Sequence, residues 1–248
     1  MNDTFKNYKP IPILMYHSIA EPPSNEVMRS IHVRPRNFQA QMKLLKLMGY
    51  RGLSMENLEP YLTGAMTGKV VGITFDDGYV NNLEHAAPVL RKLGFSATCY
   101  IVSSALGSDN FWDREVGIPS NPIMKPDDLH QWINFGLEVG CHTHTHPHLP
   151  ELTDPQQSAE LSENKKTLEE IVNRSIRSFC YPYGHYNETT LAYVKALGFK
   201  TATTMIRGRT LSTDGALELP RVPVTFHTLP HLFALKILTN YEDKRRGR

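Results

Sequence analysis

The sequence is most informative first in what it has little of. Its 248 residues include three cysteines, Cys99, Cys141 and Cys180, an odd number with each inside an apolar run. That excludes a disulfide framework and marks them as core thiols. No apolar run reaches the roughly 18 residues of a membrane span, and the first residues, MNDTFKNYKPIPILMYHS, lack a basic start followed by an apolar stretch. The expectation is a soluble, cytoplasmic protein with no integral membrane segment, although a trimmed secreted form reads the same way. Charge of one sign is also scarce: 27 Lys and Arg against 25 Asp and Glu leave a formal +2. So balanced a surface argues against nucleic acid as a partner. The one basic run, KRRGR at the C-terminus, is expected to be a solvated, frayed tail. No repeat, low-complexity segment or linker interrupts the chain, so a single domain over 1–248 is expected.

What is there alternates. Apolar runs at 11–17, 69–75 and 96–102, and the runs LEVGCHT, IRSFCYP and FKTATTM, read as strands, with a weaker one near 50–54. Helical periodicity follows most of them, near 36–48, 81–94, from the acidic turn KPDDL, at 154–173 and at 187–197. Residues 103–124 read as an irregular loop. Alternating β and α units imply an α/β fold with a parallel sheet, open or closed into a barrel, and periodicity alone does not choose between them.

Ligands gather at the C-terminal ends of parallel strands in either architecture. His17 closes the first strand, Asp76 and Asp77 the third, His142, His144, His146 and His148 follow the fifth, and YPYGH the sixth. These groups are therefore expected on one face. Adjacent carboxylates repel and resist burial, so each aspartate needs a partner. An extended backbone puts the four histidines on one side, whereas a helical turn brings His142 and His146 together; Pro147 and Pro150 favour the turn. Two imidazoles and one carboxylate suit zinc or another divalent transition ion, including the non-haem iron of oxygenases. The second aspartate favours hydrolysis, because it stays free to take a proton from water.

With these residues the chain resembles the polysaccharide deacetylases of carbohydrate esterase family four, over about residues 11–226. TFDDGY is similar to the first motif of that family, which implies Asp76 as general base and Asp77 as metal ligand. HTHTH is similar to the second, which implies His142 and His146 as the other ligands. CYPYG is similar to the third, arginine-x-proline-tyrosine-glycine, which implies the backbone amide of Tyr183 as oxyanion donor. Cys180 stands where the arginine is expected, and Arg221 in LPRVPV is assigned as the replacement partner of Asp76. The fourth motif, aspartate-tryptophan, has no counterpart after residue 184, since Trp112 and Trp132 both precede the histidines. PILMYHSI is similar to the first strand of a subgroup with rearranged motif order, including enzymes acting on poly-N-acetylglucosamine, which implies His17 as the acid.

The resemblance implies a distorted (β/α) barrel, here with about seven strands, and metal-dependent removal of N-acetyl groups from a sugar or polysaccharide with release of acetate. Zinc is the expected ion, with cobalt or nickel as alternatives, and an N-acetylated glycan the expected partner. Two other readings stand beside it: a metal-dependent amidohydrolase of other non-peptide C–N bonds, and a non-catalytic carbohydrate-binding protein. Tyr16, Tyr79 and Trp112 are either walls for sugar rings or packing residues. His32, His85, His130, His185 and His231 read as surface or satisfied polar residues.

Overall fold

A computed structural model describes residues 9–246. It contains eight strands, β1 Ile13–Tyr16, β2 Arg51–Leu53, β3 Val70–Phe75, β4 Thr98–Ile101, β5 Glu138–Cys141, β6 Ser178–Cys180, β7 Thr201–Arg207 and β8 Leu219–Pro223. All pair in parallel. Seven of them, β1 and β3 to β8, close into a ring in which β1 joins β8 to β3. β2 is a short supplement beside the first half of β3, and β4 takes over that neighbourhood at Thr74 and Phe75. The barrel is thus closed, and short of the eight strands of a full one.

Seven α-helices pack around the ring: α1 Pro35–Leu47, α2 Met55–Leu62, α3 Ala87–Leu93, α4 Pro126–Asn134, α5 Asp154–Val172, α6 Glu188–Ala196 and α7 Pro230–Leu238. Because helices cover the outside and side chains fill the inside, β3 (VVGITF) is buried at every position. Tyr16, Phe38, Phe75 and Trp132 form one aromatic chain between strands and helices, with centroids 5.3 to 5.8 Å apart. Tyr16 donates to Gln41 and is fully buried, as is Tyr79, so both are packing residues. The three cysteines are free and buried, as expected.

The sequence and the structure differ in which strands close the ring. The expected strand near 50–54 is the peripheral β2, and the seventh place belongs to β8, whose two prolines and arginine hide its strand character. α2 carries Pro60 inside it and was equally invisible. The expected frayed tail is also corrected. Arg246 donates to Asp214 at 2.5 Å, Arg209 pairs with Asp243 at 2.7 Å, and the fully buried Glu242 meets Lys236 and Arg207, each at 2.7 Å. Residues 247 and 248 lie outside the described ones. Among the described residues no helix is long and apolar enough to cross a membrane.

The N-terminal end of the ring is plugged by a polar hub. Glu138, at the start of β5, accepts from Thr98 at 2.6 Å, from the Glu56 amide at the head of α2 at 2.9 Å, and from Ser178. Burial pushes its carboxyl up, against these donors. Truncation strands all three donors, at about 1–3 kcal/mol each when buried. Glu138→Ala is expected to lower unfolding stability by about 3 kcal/mol or more, read as the urea midpoint; an unchanged midpoint would contradict the hub.

Candidate active site

β3 ends at Phe75, and the chain must turn at once to enter the next helix, so Asp76 and Asp77 lie at the rim with their side chains aimed differently. Asp77 has φ 73° and Gly78 φ 89°, left-handed values that throw the second carboxylate away from the first. Each finds its own partners. Asp76 receives the fork of Arg221, Nη1 on Oδ1 at 2.7 Å and Nη2 on Oδ2 at 2.8 Å. Arg221 is further held by the Thr204 carbonyl at 2.8 Å and by Thr74 Oγ1 at 3.1 Å. Burial raises the Asp76 carboxyl, but Arg221 and then His17 outweigh it, so its pKa lies below the usual range.

Cys180 stands where the resemblance leads one to expect an arginine, and the guanidinium partner of Asp76 comes from β8 instead. Arg221 packs beside position 180, with Nη2 3.3 Å from the Cys180 sulfur.

The histidines meet, but not by the helical turn expected. Thr143 and His146 take φ 65° and 63°, so two left-handed residues fold the loop back and set the His142 and His146 rings 4.9 Å apart. A residue that sequence reading missed holds this fold. Asn164 of α5, fully buried, accepts from the His142 amide at 3.1 Å and donates to the carbonyls of Thr143 at 2.6 Å and Ile101 at 3.0 Å. Glu160, one turn earlier, accepts from the amides of His144 and Thr145. Its carboxyl and the Asn164 amide are four residues apart on one helix face.

Asp77 Oδ1 faces Nε2 of His142 and Nε2 of His146, both at 3.5 Å. That is long for a hydrogen bond, yet two ligands of one tetrahedral zinc at about 2.05 Å lie about 3.4 Å apart. His142 Nδ1 is 2.7 Å from the Cys180 carbonyl, which has only lone pairs to offer. The proton belongs on Nδ1, and the Nε2 lone pair points at the Asp77 oxygen. Burial pushes His146 down to about 3, with His142 adding to it, so this ring is neutral and its nitrogen free to bind. For His142, burial also lowers the pKa, but Cys180, Asp77 and Asp76 raise it well above the ordinary value. The corner therefore demands one more positive charge. Its donor set, N2O with the three ligand atoms within 4.8 Å of one another, fits a divalent transition ion. The other clustered group, Asp76, His142 and Cys180, already has the Arg221 guanidinium among its members.

The remaining predicted residues fall around this corner. His17 Nε2 lies 3.7 Å from Asp76 Oδ2 and is partly exposed. Its backbone carbonyl accepts from Asn82 at 2.7 Å, and the adjacent Ser18 is fixed by His32, itself held by Glu26. Tyr183 stands at φ 57°, ψ 5° in the turn after β6, its ring 4.7 Å from that of His146. Gly184 follows at φ 72°, where a Cβ would come within 2.6 Å of the Met205 amide nitrogen. Trp112 stacks on His146 at 4.7 Å, which gives this loop residue a place at the site. The carboxyl of its neighbour Asp113 is pushed up to about 6 by burial. Of the five non-glycine residues with positive φ among those described, four (Asp77, Thr143, His146 and Tyr183) belong to this site. Strain of about 1–3 kcal/mol per residue is tolerated where geometry is needed for function.

The comparisons with known proteins supply a family. Residues 63–202 match the polysaccharide deacetylase family. YxkH of Bacillus subtilis (strain 168), named as a polysaccharide deacetylase, is 32% identical over 224 residues, 89% of this chain and 74% of its own length. The poly-beta-1,6-N-acetyl-D-glucosamine N-deacetylase of Staphylococcus aureus is 23% identical over 84% of this chain and 73% of its own. Among solved structures, the Streptococcus pyogenes deacetylase PplD, in complex with acetate, superposes with a TM-score of 0.81 at 27% identity, covering 93% of this chain and 99% of that one. A closed parallel barrel with two imidazoles and an aspartate at one rim, a spare aspartate beside them and these relatives together make the chain a member of the polysaccharide deacetylase family.

Proposed function

We propose that the chain removes N-acetyl groups from an N-acetylated glycan, with zinc held by Asp77, His142 and His146, Asp76 as general base, His17 as general acid and the Tyr183 amide as oxyanion donor. The observation that carries this reading is the unequal fate of two adjacent carboxylates. One faces the Nε2 atoms of two imidazoles, and the other is locked ionised by Arg221 and left out of the ligand set. A structural ion or a binding module needs no such spare base. Kinship to the S. aureus enzyme favours a poly-N-acetylglucosamine-like substrate, and the acetate bound by PplD is the acid this reaction releases.

A divalent ion bound there supplies Lewis acidity, polarising the acetamide carbonyl and making water acidic near neutrality. The protein does the rest. Asp76 takes the proton of the attacking water on a carboxylate oxygen that Arg221 holds in place. The Tyr183 N–H, offered by a left-handed turn, donates to the oxygen that gains charge; one such donor is worth about 3 kcal/mol in the barrier. His17, whose Nε2 lies 3.7 Å from Asp76, delivers a proton to the departing sugar nitrogen, so that acetate and a free amine leave. Groups in that role contribute on the order of a hundredfold to ten-thousandfold.

Asp76→Asn is expected to abolish acetate release from a soluble N-acetylglucosamine oligomer while bound zinc, measured by metal analysis, stays near one equivalent. Asp77→Ala or His142→Ala should lose both. Retained turnover in Asp76→Asn would remove it as the base.

His17→Ala is expected to lose the alkaline limb of the pH–rate profile along with most of kcat, and an unaltered bell would refute its role as acid.

Arg221 has a signed consequence. The folded pKa of Asp76 lies below the usual value, so its ion pair stabilises the fold above about pH 4 and that stability is lost as pH falls through the folded value. Without Arg221 the buried carboxyl rises. Arg221→Met should therefore shift the acidic limb of activity toward higher pH and cost about 3–5 kcal/mol of stability by leaving a buried charge unpaired. An acidic limb at the wild-type position would show that Arg221 does not tune the base.

A further inference from the structure

We propose that His148 and His185 form a second, weaker divalent-metal site at the mouth of the active site, and that zinc bound there inhibits turnover. Its effect on turnover rests on the reading of the primary site given above, whereas the binding stands on the pair itself. His148 comes two residues after His146 beyond Pro147, and His185 follows the Tyr183–Gly184 turn, so two loops deliver one imidazole each. Their Nδ1 atoms lie 3.1 Å apart, with ring centroids at 5.2 Å and planes inclined by 34°. The primary pair, His142 and His146, has its centroids at 4.9 Å. Nitrogens sharing a tetrahedral zinc are separated by about 3.4 Å, so the outer pair needs to open by only about 0.3 Å to bind one.

Two acceptor nitrogens at this distance repel unless something positive lies between them. A shared hydrogen meets that need in the protein alone, and a cation seated to one side of the line between the nitrogens, with both rings turned toward it, can replace it. Imidazole donors without a carboxylate select zinc, copper or nickel over magnesium and calcium. His185 is exposed and His148 half-buried, so water completes the coordination and the affinity falls below that of the three-ligand corner.

The position explains the inhibition. The His148 ring lies flat on Tyr183, with centroids 4.0 Å apart and planes 8° from parallel, and Tyr183 in turn touches His146. An ion joining His148 to His185 pins the Tyr183 ring one aromatic layer away from the primary site, and it stands where a glycan approaches. His185, previously read as a surface residue, thus acquires a partner and a role.

Protein carrying one equivalent of zinc is titrated with zinc chloride by calorimetry, as wild type and as His185→Ala, with acetate release followed in parallel. The wild type is expected to take up a second equivalent more weakly than the first and to lose most of its turnover as that equivalent fills. Magnesium chloride should do neither. His185→Ala should keep the first equivalent and its turnover, lose the second, and resist inhibition by excess zinc; His148→Ala should lose the second equivalent too. A single wild-type equivalent that survives in His185→Ala, or a second equivalent that survives in either variant, overturns the site. Uptake that depends on His185 but leaves turnover unchanged overturns the inhibitory role. A single wild-type equivalent that vanishes in His185→Ala would uphold the pair and overturn the primary site instead.

Discussion

Everything at the rim of this barrel follows from the repulsion between two carboxylates on consecutive residues, both buried. Their charges can coexist only if each is compensated separately, and the fold supplies two compensations of different kinds. Asp76 has a permanent one, a guanidinium that never deprotonates under ordinary conditions and grips both of its oxygens. Asp77 has a conditional one, a pair of imidazoles whose lone pairs invite a cation from solution. The two aspartates therefore differ in their partners, not in residue type.

That division is maintained by backbone distortion and by a helix some distance along the chain. Left-handed residues at Asp77, Thr143, His146 and Tyr183 aim these side chains and the Tyr183 amide, in a conformation uncommon outside glycine. α5 offsets the strain by binding the histidine loop along two turns, through Glu160 and Asn164. The corner of Asp77, His142 and His146 is thus shaped by β3 and the loop after β5, but held by hydrogen bonds from outside the ring.

Much of this was legible in the sequence. The alternation of strand and helix, the gathering of His17, Asp76, Asp77, the histidines and the YPYG turn at strand ends, and even Arg221 as a substitute partner could be read from pattern and resemblance. The parts that could not share a physical cause, which is that they depend on tertiary context. β8 carries prolines and an arginine that mask a strand, because its burial comes from the ring and not from apolar composition. The His142–His146 approach was expected from i, i+4 spacing and is achieved instead by left-handed residues, which spacing does not encode. Trp112 reaches His146 from a loop whose path no periodicity describes. Asn164 looks like any polar residue on a long helix until its three backbone partners are seen.

Mounting the Asp76 partner on β8 has a further corollary. The turn that carries the Tyr183 amide and the guanidinium that keeps Asp76 ionised lie on different strands. A change in the turn after β6 can therefore leave the charge on Asp76 undisturbed.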